Sequence, residues 1–204
     1  MPKDCLAVLD FGSQYAHLIA KRLRQQGFYT EIHPPASLVS KLTHVKGLIL
    51  SGGPASVYAD TTPDFNQNLL EMDLPILGLC YGHQLTALHF GGTIENTGRG
   101  EFGKAALKNP KPSPLWKDIS FPNQVWMSHQ DSVTHIPENF KPIAETEGCS
   151  SAALQHQQRL IFTLQFHPEV KDTLIGSQIL KNFAEICGVS KNWSMKNFIQ
   201  QAKE

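Results

Sequence analysis

No apolar run in this chain of 204 residues approaches the roughly 20 residues that a membrane-crossing helix needs. The short run Leu6–Leu9 near the start ends at Asp10, so it does not read as a signal peptide, and a cytoplasmic protein is expected. Charge of one sign is also missing. Eighteen Lys and Arg balance 18 Asp and Glu, and there is no basic tract of five or more. A dedicated nucleic-acid surface should leave a clustered basic footprint, so that class is set aside, although binding of a single nucleotide is not. Cysteine is scarce: Cys5, Cys80, Cys149 and Cys187 lie far apart and form no C-x-x-C pair. That argues against a zinc ribbon, a redox motif or a secreted disulfide scaffold, and for reduced intracellular thiols. No H-E-x-x-H or comparable metal spacing occurs, so no metal site is expected. Internal repeats and low-complexity segments are absent too. What remains is an ordinary soluble composition, at a length that buries roughly 70% of its unfolded surface as one domain.

The first half alternates strand and helix signals. Leu6–Leu9 is wholly apolar, as a strand buried on both faces should be. From Ser13 onward, Tyr15, Leu18, Ile19 and Leu23 make one helical stripe, and Gly27 stands where a helix-ending glycine belongs. Strands are expected at Tyr29–His33, Val45–Leu50 and Pro75–Leu79. Thr62-Pro63 reads as a cap with proline at the first helical position, predicting a helix to about Met72. A further helix should run from about Gly82 to His89, closed by Gly91-Gly92. This order implies right-handed βαβ units: an α/β fold with an open, mostly parallel twisted sheet and flanking helices. After Gly92 short β-rich stretches near Lys104–Leu107, Gln124–Trp126, Pro142–Glu145, Ala152–Gln155 and Ile161–Gln165 suggest an antiparallel extension. A last core helix is expected over Asp172–Cys187, with the stripe Ile175, Ile179, Phe183, Ile186 and a stop at Gly188. Beyond it, Ser194 can cap one more helix, with Trp193 and Phe198 as a hydrophobic staple. We therefore divide the chain into 1–189, the domain, and 190–204, a linker helix.

Chemistry concentrates at three places. Gly78-Leu79-Cys80-Tyr81-Gly82 follows a buried strand and opens a helix, the thiol form of a nucleophile elbow. Glycines on either side let neighbouring backbone pass close, and the helix N-terminus favours a thiolate. An isolated cysteine at a strand end is usually inert packing, and Cys5, Cys149 and Cys187 receive that reading. A catalytic cysteine needs a base oriented by a third group. His167, in Gln165-Phe166-His167-Pro168-Glu169 after an apolar strand, is the candidate, with Glu169 placed to turn back onto its ring. Alone, it would read equally well as an exposed loop histidine. His129 is the rival base, while His83 and His89 read as packing or surface residues. Gly52-Gly53-Pro54, at the end of another parallel strand, can aim backbone N–H groups at a developing oxyanion, and the N–H of Tyr81 is the natural second donor. By itself Gly-Gly-Pro is only a turn.

Together, Ser51-Gly52-Gly53-Pro54, then Gly78–Gln84 (GLCYGHQ), then Phe166-His167-Pro168-Glu169 resemble the class I glutamine amidotransferase domain, in that order and over nearly the whole chain. Within that family Asp10–Tyr15 (DFGSQY), Ser51–Tyr58 (SGGPASVY), Tyr81, Glu101-Phe102-Gly103 and Val125–Asp131 (VWMSHQD) resemble the GMP synthases. The departure is Gln130, which stands where that pattern has glycine.

The resemblance implies a flavodoxin-like fold and glutamine hydrolysis through a cysteine thioester, supplying ammonia for XMP to GMP conversion. Cys80, His167 and Glu169 would be the catalytic residues and Gly53 and Tyr81 the oxyanion donors. Gly52, Gln84, Ser128, His129, Gln130 and Asp131 would bind glutamine. It implies no cofactor in this domain, ATP and magnesium belonging to a partner ATP-pyrophosphatase domain or subunit, and a homo-oligomeric full enzyme. No ATP-binding loop of that partner occurs here, so either an excised domain or a small subunit is expected. Two other readings stay open at this point. One is a glutaminase subunit serving anthranilate or carbamoyl phosphate synthesis. The other is a non-catalytic regulatory module of the same fold.

Overall fold

The computed structural model describes residues 4–12, 14–53, 56–58 and 63–194. Its centre is a seven-stranded sheet in the order β2-β1-β3-β4-β9-β8-β7. β1 (Leu6–Leu9), β2 (Thr30–His33), β3 (Gly47–Leu50), β4 (Ile76–Leu79) and β9 (Ile161–Leu164) run parallel. β8 (Ala153–His156) and β7 (Phe140–Ala144) add on antiparallel beyond β9. The order 2-1-3-4 is that of the flavodoxin-like doubly wound sheet. Every residue of β1, β3, β4 and β9 is buried, which is why these strands read as continuous apolar runs without alternation.

Successive side chains still leave on opposite faces. Leu6, Val8, Ile49, Leu77, Leu79, Phe162 and Leu164 pack into one core with Ile19 and Leu23 of α1 (Tyr15–Gln25) and Ile179, Leu180 and Phe183 of α3 (Gly176–Ile186). Ala7, Leu9, Leu48, Leu50, Ile76 and Ile161 form the other core with Tyr81 and Ala87 of α2 (Tyr81–His89) and with Leu69 and Leu70. The result is three layers: α1 and α3 cover one face of the sheet, α2 the other.

Both outer helices end as the glycines predict. Gly27 sits at φ 90°, where its N–H reaches Arg24 O and that of Phe28 reaches Leu23 O; Gly188 at φ 67° closes α3 the same way. The helix expected from Pro63 to Met72 is instead a 3-10 stretch, Gln67–Glu71. Asn66 caps it by accepting from the Asn68 N–H, so the stretch starts only there, and Asp64, Asn68 and Asp73 are residue types of low helix propensity. The Thr62 cap itself lies outside the described residues. α3 likewise starts at Gly176 rather than Asp172, because Thr173 is committed to bonds with Trp126 and His167.

The second half is more extended than its fragments suggest. β5 (Thr93–Leu107) and β6 (Asn123–His135) form a separate antiparallel ribbon whose register shifts between Asn96 and Glu101. Gly98, Gly100 and Gly103 interrupt the β5 pattern, which hid its length. Residues 191–193 fold back beside the start of β2: Lys191 bridges Phe28, and the Trp193 N–H donates to Gly27 O. The proposed staple partner Phe198 and the terminal helix lie outside the described residues. Among those described, no helix is long and apolar enough to cross a membrane.

Phe183 is wholly buried at the contact of α3 with the sheet. Phe183→Ala should cost about 3–5 kcal/mol of folding stability, read as a lower urea midpoint at unchanged slope. A loss under about 1 kcal/mol would show that this face is not packed as described.

Candidate active site

Parallel strands deliver their C-terminal ends to one edge of the sheet, and each motif sits at such an end. Residues 10–12 leave β1, Ser51-Gly52-Gly53 leave β3, Cys80 leaves β4, and Gln165-Phe166-His167 leave β9. Cys80 occupies φ 50°, ψ −99°, a region non-glycine residues avoid. Its neighbours hold it there. The Cys80 N–H donates to Leu164 O at 2.8 Å, its carbonyl accepts from the Gln84 N–H at 3.1 Å, and the Gly82 N–H donates to Ser51 O at 3.2 Å. A Cβ on Gly78 would stand 2.6 Å from Gly82 O, and one on Gly82 2.5 Å from Leu50 O. The two glycines of the elbow are thus required by close approach of backbone to backbone.

His167 Nδ1 donates to Glu169 Oε1 at 2.8 Å, and the ring lines the same cavity as Cys80. The ring is 2% exposed and Glu169 is wholly buried. Burial opposes charge on His167, but the hydrogen bonds to Cys80 and Glu169 and their negative charge outweigh it and raise the imidazole well above its usual range. Thr173 fixes the backbone here: its hydroxyl donates to His167 O at 2.6 Å and accepts from the Trp126 N–H, while the His167 N–H donates to Trp126 O. The Arg22 side chain bonds Glu169 O at 3.1 Å. Tyr15 lies against the His167 ring, centroids 4.6 Å apart.

These groups open onto a cavity of about 530 Å³. Gly53, Tyr81, Gln84, Ser128, His129, Gln130 and Asp131 line it together with Cys80 and His167. Gly52 stands behind: a Cβ there would meet His167 Cε1 at 3.2 Å and Tyr15 at 3.3 Å. Gln84 donates to Asp131 O at 2.7 Å and to Gln165 Oε1, and Gln165 reaches Cys80 Sγ at 3.8 Å. Asp131 Oδ2 accepts from Ser56 at 2.7 Å, with both residues on the cavity wall. Gln130 lies in β6 with an exposed side chain, and it is not among the described residues with positive φ, so it takes the glycine position without backbone strain. His129 is not turned on Cys80: Nδ1 bonds Asp131 O, and Nε2 points toward Glu101. His83 is buried against Thr163, its ring pushed down to about 3 by burial and by His129, and His89 pairs with Glu71. Of the other thiols, burial, helped by Glu31 and Asp4, pushes Cys5 up to about 12; burial also raises Cys149 and Cys187.

The family model of glutamine amidotransferase class-I matches residues 7–187, a span that contains every group just described. The chain belongs to this family. It is 48% identical over 201 residues to the GMP synthase [glutamine-hydrolyzing] of Campylobacter hominis and 43% identical over 200 residues to that of Bacillus cytotoxicus. Each match covers 97% of this chain but only 39% of the relative, so the chain spans about two fifths of their length. A crystal structure from Thermoplasma acidophilum, provisionally described as that of a GMP synthase subunit, superposes with TM-score 0.81 at 30% identity, covering 98% of this chain and 97% of that one. A glutamine amidotransferase from Methylobacillus flagellatus shares the fold, with TM-score 0.70 at 15% identity.

Four members of this amidotransferase site escaped the sequence reading: Tyr15, Ser56, Gln165 and Thr173. Tyr15, Ser56 and Gln165 lay inside segments already singled out, with no role assigned to them. Thr173 carries no local signal, since its two bonds join segments 47 and 6 residues away.

The sign of the His167 shift fixes its pH behaviour. A raised histidine contributes stability that is fully present below the ordinary value of 6.5 and is lost as pH rises through the higher folded value. Histidine NMR should therefore show His167 as imidazolium through neutral pH, and Glu169→Gln should lower its titration by a unit or more, about 1.4 kcal/mol. A ring neutral at pH 7 in the unaltered protein would contradict this electrostatic picture.

Proposed function

We propose that this chain hydrolyses glutamine to glutamate and ammonia, and that the ammonia serves the amination of XMP to GMP by a partner unit. The observation that carries the reading is the buried Cys80–His167–Glu169 constellation, with Cys80 held at the mouth of the cavity. A cysteine beside a histidine that a buried carboxylate orients is the pairing that nucleophilic attack by sulfur requires.

The steps follow from these positions. Cys80 Sγ attacks the side-chain carbonyl carbon of glutamine, and the carbonyl electron pair moves to oxygen. Gly53 and Tyr81 offer N–H groups to that oxyanion. The C–N bond breaks as His167 delivers its proton to the departing nitrogen, releasing ammonia and leaving a γ-glutamyl thioester. Water then attacks the thioester, giving its proton back to His167, and glutamate leaves as the Cys80 thiolate returns. Glu169 remains a carboxylate and holds the ring in one tautomer. Gln84, Ser128 and Asp131, with His129 and Gln130 beside them, form the wall that would receive the α-amino and α-carboxylate groups, and Gly52 packs under the His167 ring.

The partner reading rests on length. The chain matches only 39% of the Campylobacter and Bacillus GMP synthases, leaving most of each for another unit, where ATP and magnesium would act. The Thermoplasma protein matches end to end, which supports the same unit as a separate subunit. Residues 190–204 would then lead toward, or dock on, that partner, and the full assembly would be a homo-oligomer. Four free thiols suit a cytoplasmic setting.

Cys80→Ala should lower ammonia release from glutamine by more than about 10³-fold while leaving the thermal midpoint within a few degrees. Adding an ATP-pyrophosphatase unit with XMP, ATP and magnesium should raise the unaltered chain's rate. Substantial turnover by Cys80→Ala would overturn the assignment of the nucleophile.

A further inference from the structure

Behind the cavity wall lies a second cluster that shares one residue, His129, with that wall. Glu101 on β5 and His129 on β6 face each other as register partners, and Cys149 joins them from the turn between β7 and β8. A ring nitrogen of His129, a Glu101 carboxylate oxygen and Cys149 Sγ all lie within 4.8 Å of one another, with His129 Nε2 3.6 Å from Glu101 Oε2. The His129 side chain is 1% exposed and Cys149 2%.

Hydrogen bonding selects the tautomer of the neutral histidine. Nδ1 lies 3.0 Å from Asp131 O, an acceptor only, so Nδ1 carries the proton; the Ser132 hydroxyl is more distant at 3.4 Å. In the neutral ring Nε2 is then a bare lone pair. It is buried and finds no hydrogen-bond partner among the described residues. Its neighbour Glu101 Oε2, at 3.6 Å, is an ion-pair distance away, too long for a hydrogen bond, and also electron-rich. A nitrogen, an oxygen and a sulfur ligand atom thus come together with only the Cys149 S–H hydrogen among them, and a divalent cation can take the place of that proton.

The surroundings are those of a supported ligand set. The His129 ring gives its other N–H to a backbone carbonyl. Glu101 is held by the Thr146 hydroxyl at 2.7 Å and the Gly148 N–H at 3.3 Å, and the Ser151 hydroxyl lies 3.6 Å from Cys149 Sγ. Metal-binding histidines and carboxylates are oriented in this way. Tetrahedral bonds of about 2.0–2.3 Å place donors about 3.3–3.8 Å apart, so the His129–Glu101 separation needs no rearrangement. Magnesium and calcium take oxygen shells, whereas one imidazole, one thiolate and one carboxylate suit zinc.

We propose that Glu101, His129 and Cys149 form a zinc-type divalent metal site, with water as the fourth ligand, that ties the β7–β8 turn to the Ser128–Asp131 wall. Binding replaces the Cys149 S–H proton, which leaves to solvent as the metal–sulfur bond forms. The site shares His129 with the cavity wall but includes neither Cys80 nor His167, and it does not depend on the proposed reaction.

Cobalt(II) is the probe, because thiolate-bound tetrahedral cobalt absorbs strongly. The titrated protein is Cys80→Ser, which removes the nucleophile as a competing thiol. One equivalent should give a sulfur-to-metal charge-transfer band with tetrahedral d–d bands, displaced by zinc. Cys149→Ser added to that background should abolish the charge-transfer band, and Glu101→Gln should weaken binding about tenfold or more, both variants keeping their circular dichroism. Cys5→Ser should change nothing, although Cys5, Glu31 and His44 also lie close together. If Cys149→Ser does not fold, Glu101→Gln decides. No band would mean that a proton alone fills the gap and would overturn the proposal. So would a band that survives both Cys149→Ser and Glu101→Gln, or one lost with Cys5→Ser.

Discussion

The site depends on one constraint: α2 begins too close to β3 and β4 for any side chain to intervene. The Gly82 N–H bonds Ser51 O, and neither Gly82 nor Gly78 has room for a Cβ. That approach forces the chain to turn within a single residue, and the residue at the turn is Cys80, at positive φ. Such a conformation costs about 1–3 kcal/mol and persists only where packing over-determines it. Here the over-determination is the β4–β9 pairing beneath it, continued by the Cys80 N–H on Leu164 O, and the first turn of α2 above it. The strained turn leaves Cys80 lining the cavity.

From that fixed point the other groups follow in register. β9 is the parallel neighbour of β4, so its C-terminal end brings His167 beside the elbow without a long excursion. The buried Glu169 carboxylate pairs with the His167 ring and, together with Cys80, raises its pKa despite burial. The β5–β6 ribbon does not belong to the main sheet, yet it supplies the far wall through Ser128–Asp131. Bonds from Ser56 and Gln84 fasten Asp131 of that wall to the segment after β3 and to α2, and Thr173 holds Trp126 just before it.

The parallel sheet was legible because its strands are buried on both faces, giving four-residue apolar runs bounded by glycine and proline. The elbow was legible because G-x-C-x-G encodes a steric need within five residues. The stretch at 63–72 misled because proline after threonine signals a helix start, while the asparagines and aspartates that follow favour a single 3-10 turn. The full length of β5 was hidden by its glycines, and the role of Thr173 by its partners' distance along the chain. Contacts set by tertiary approach leave no periodicity to read. Likewise Glu101, His129 and Cys149 occupy three segments whose meeting only the fold reveals.

The central claim is that backbone geometry, not thiol chemistry alone, singles out Cys80 among four buried, free cysteines. The most direct measurement is mass-spectrometric mapping after treatment of the folded chain with a glutamine-mimicking electrophile, with and without excess glutamine. The account predicts one adduct per chain, on Cys80, suppressed by glutamine and nearly lost in His167→Ala. Labelling spread over Cys5, Cys149 and Cys187, or no labelling of Cys80, would contradict it.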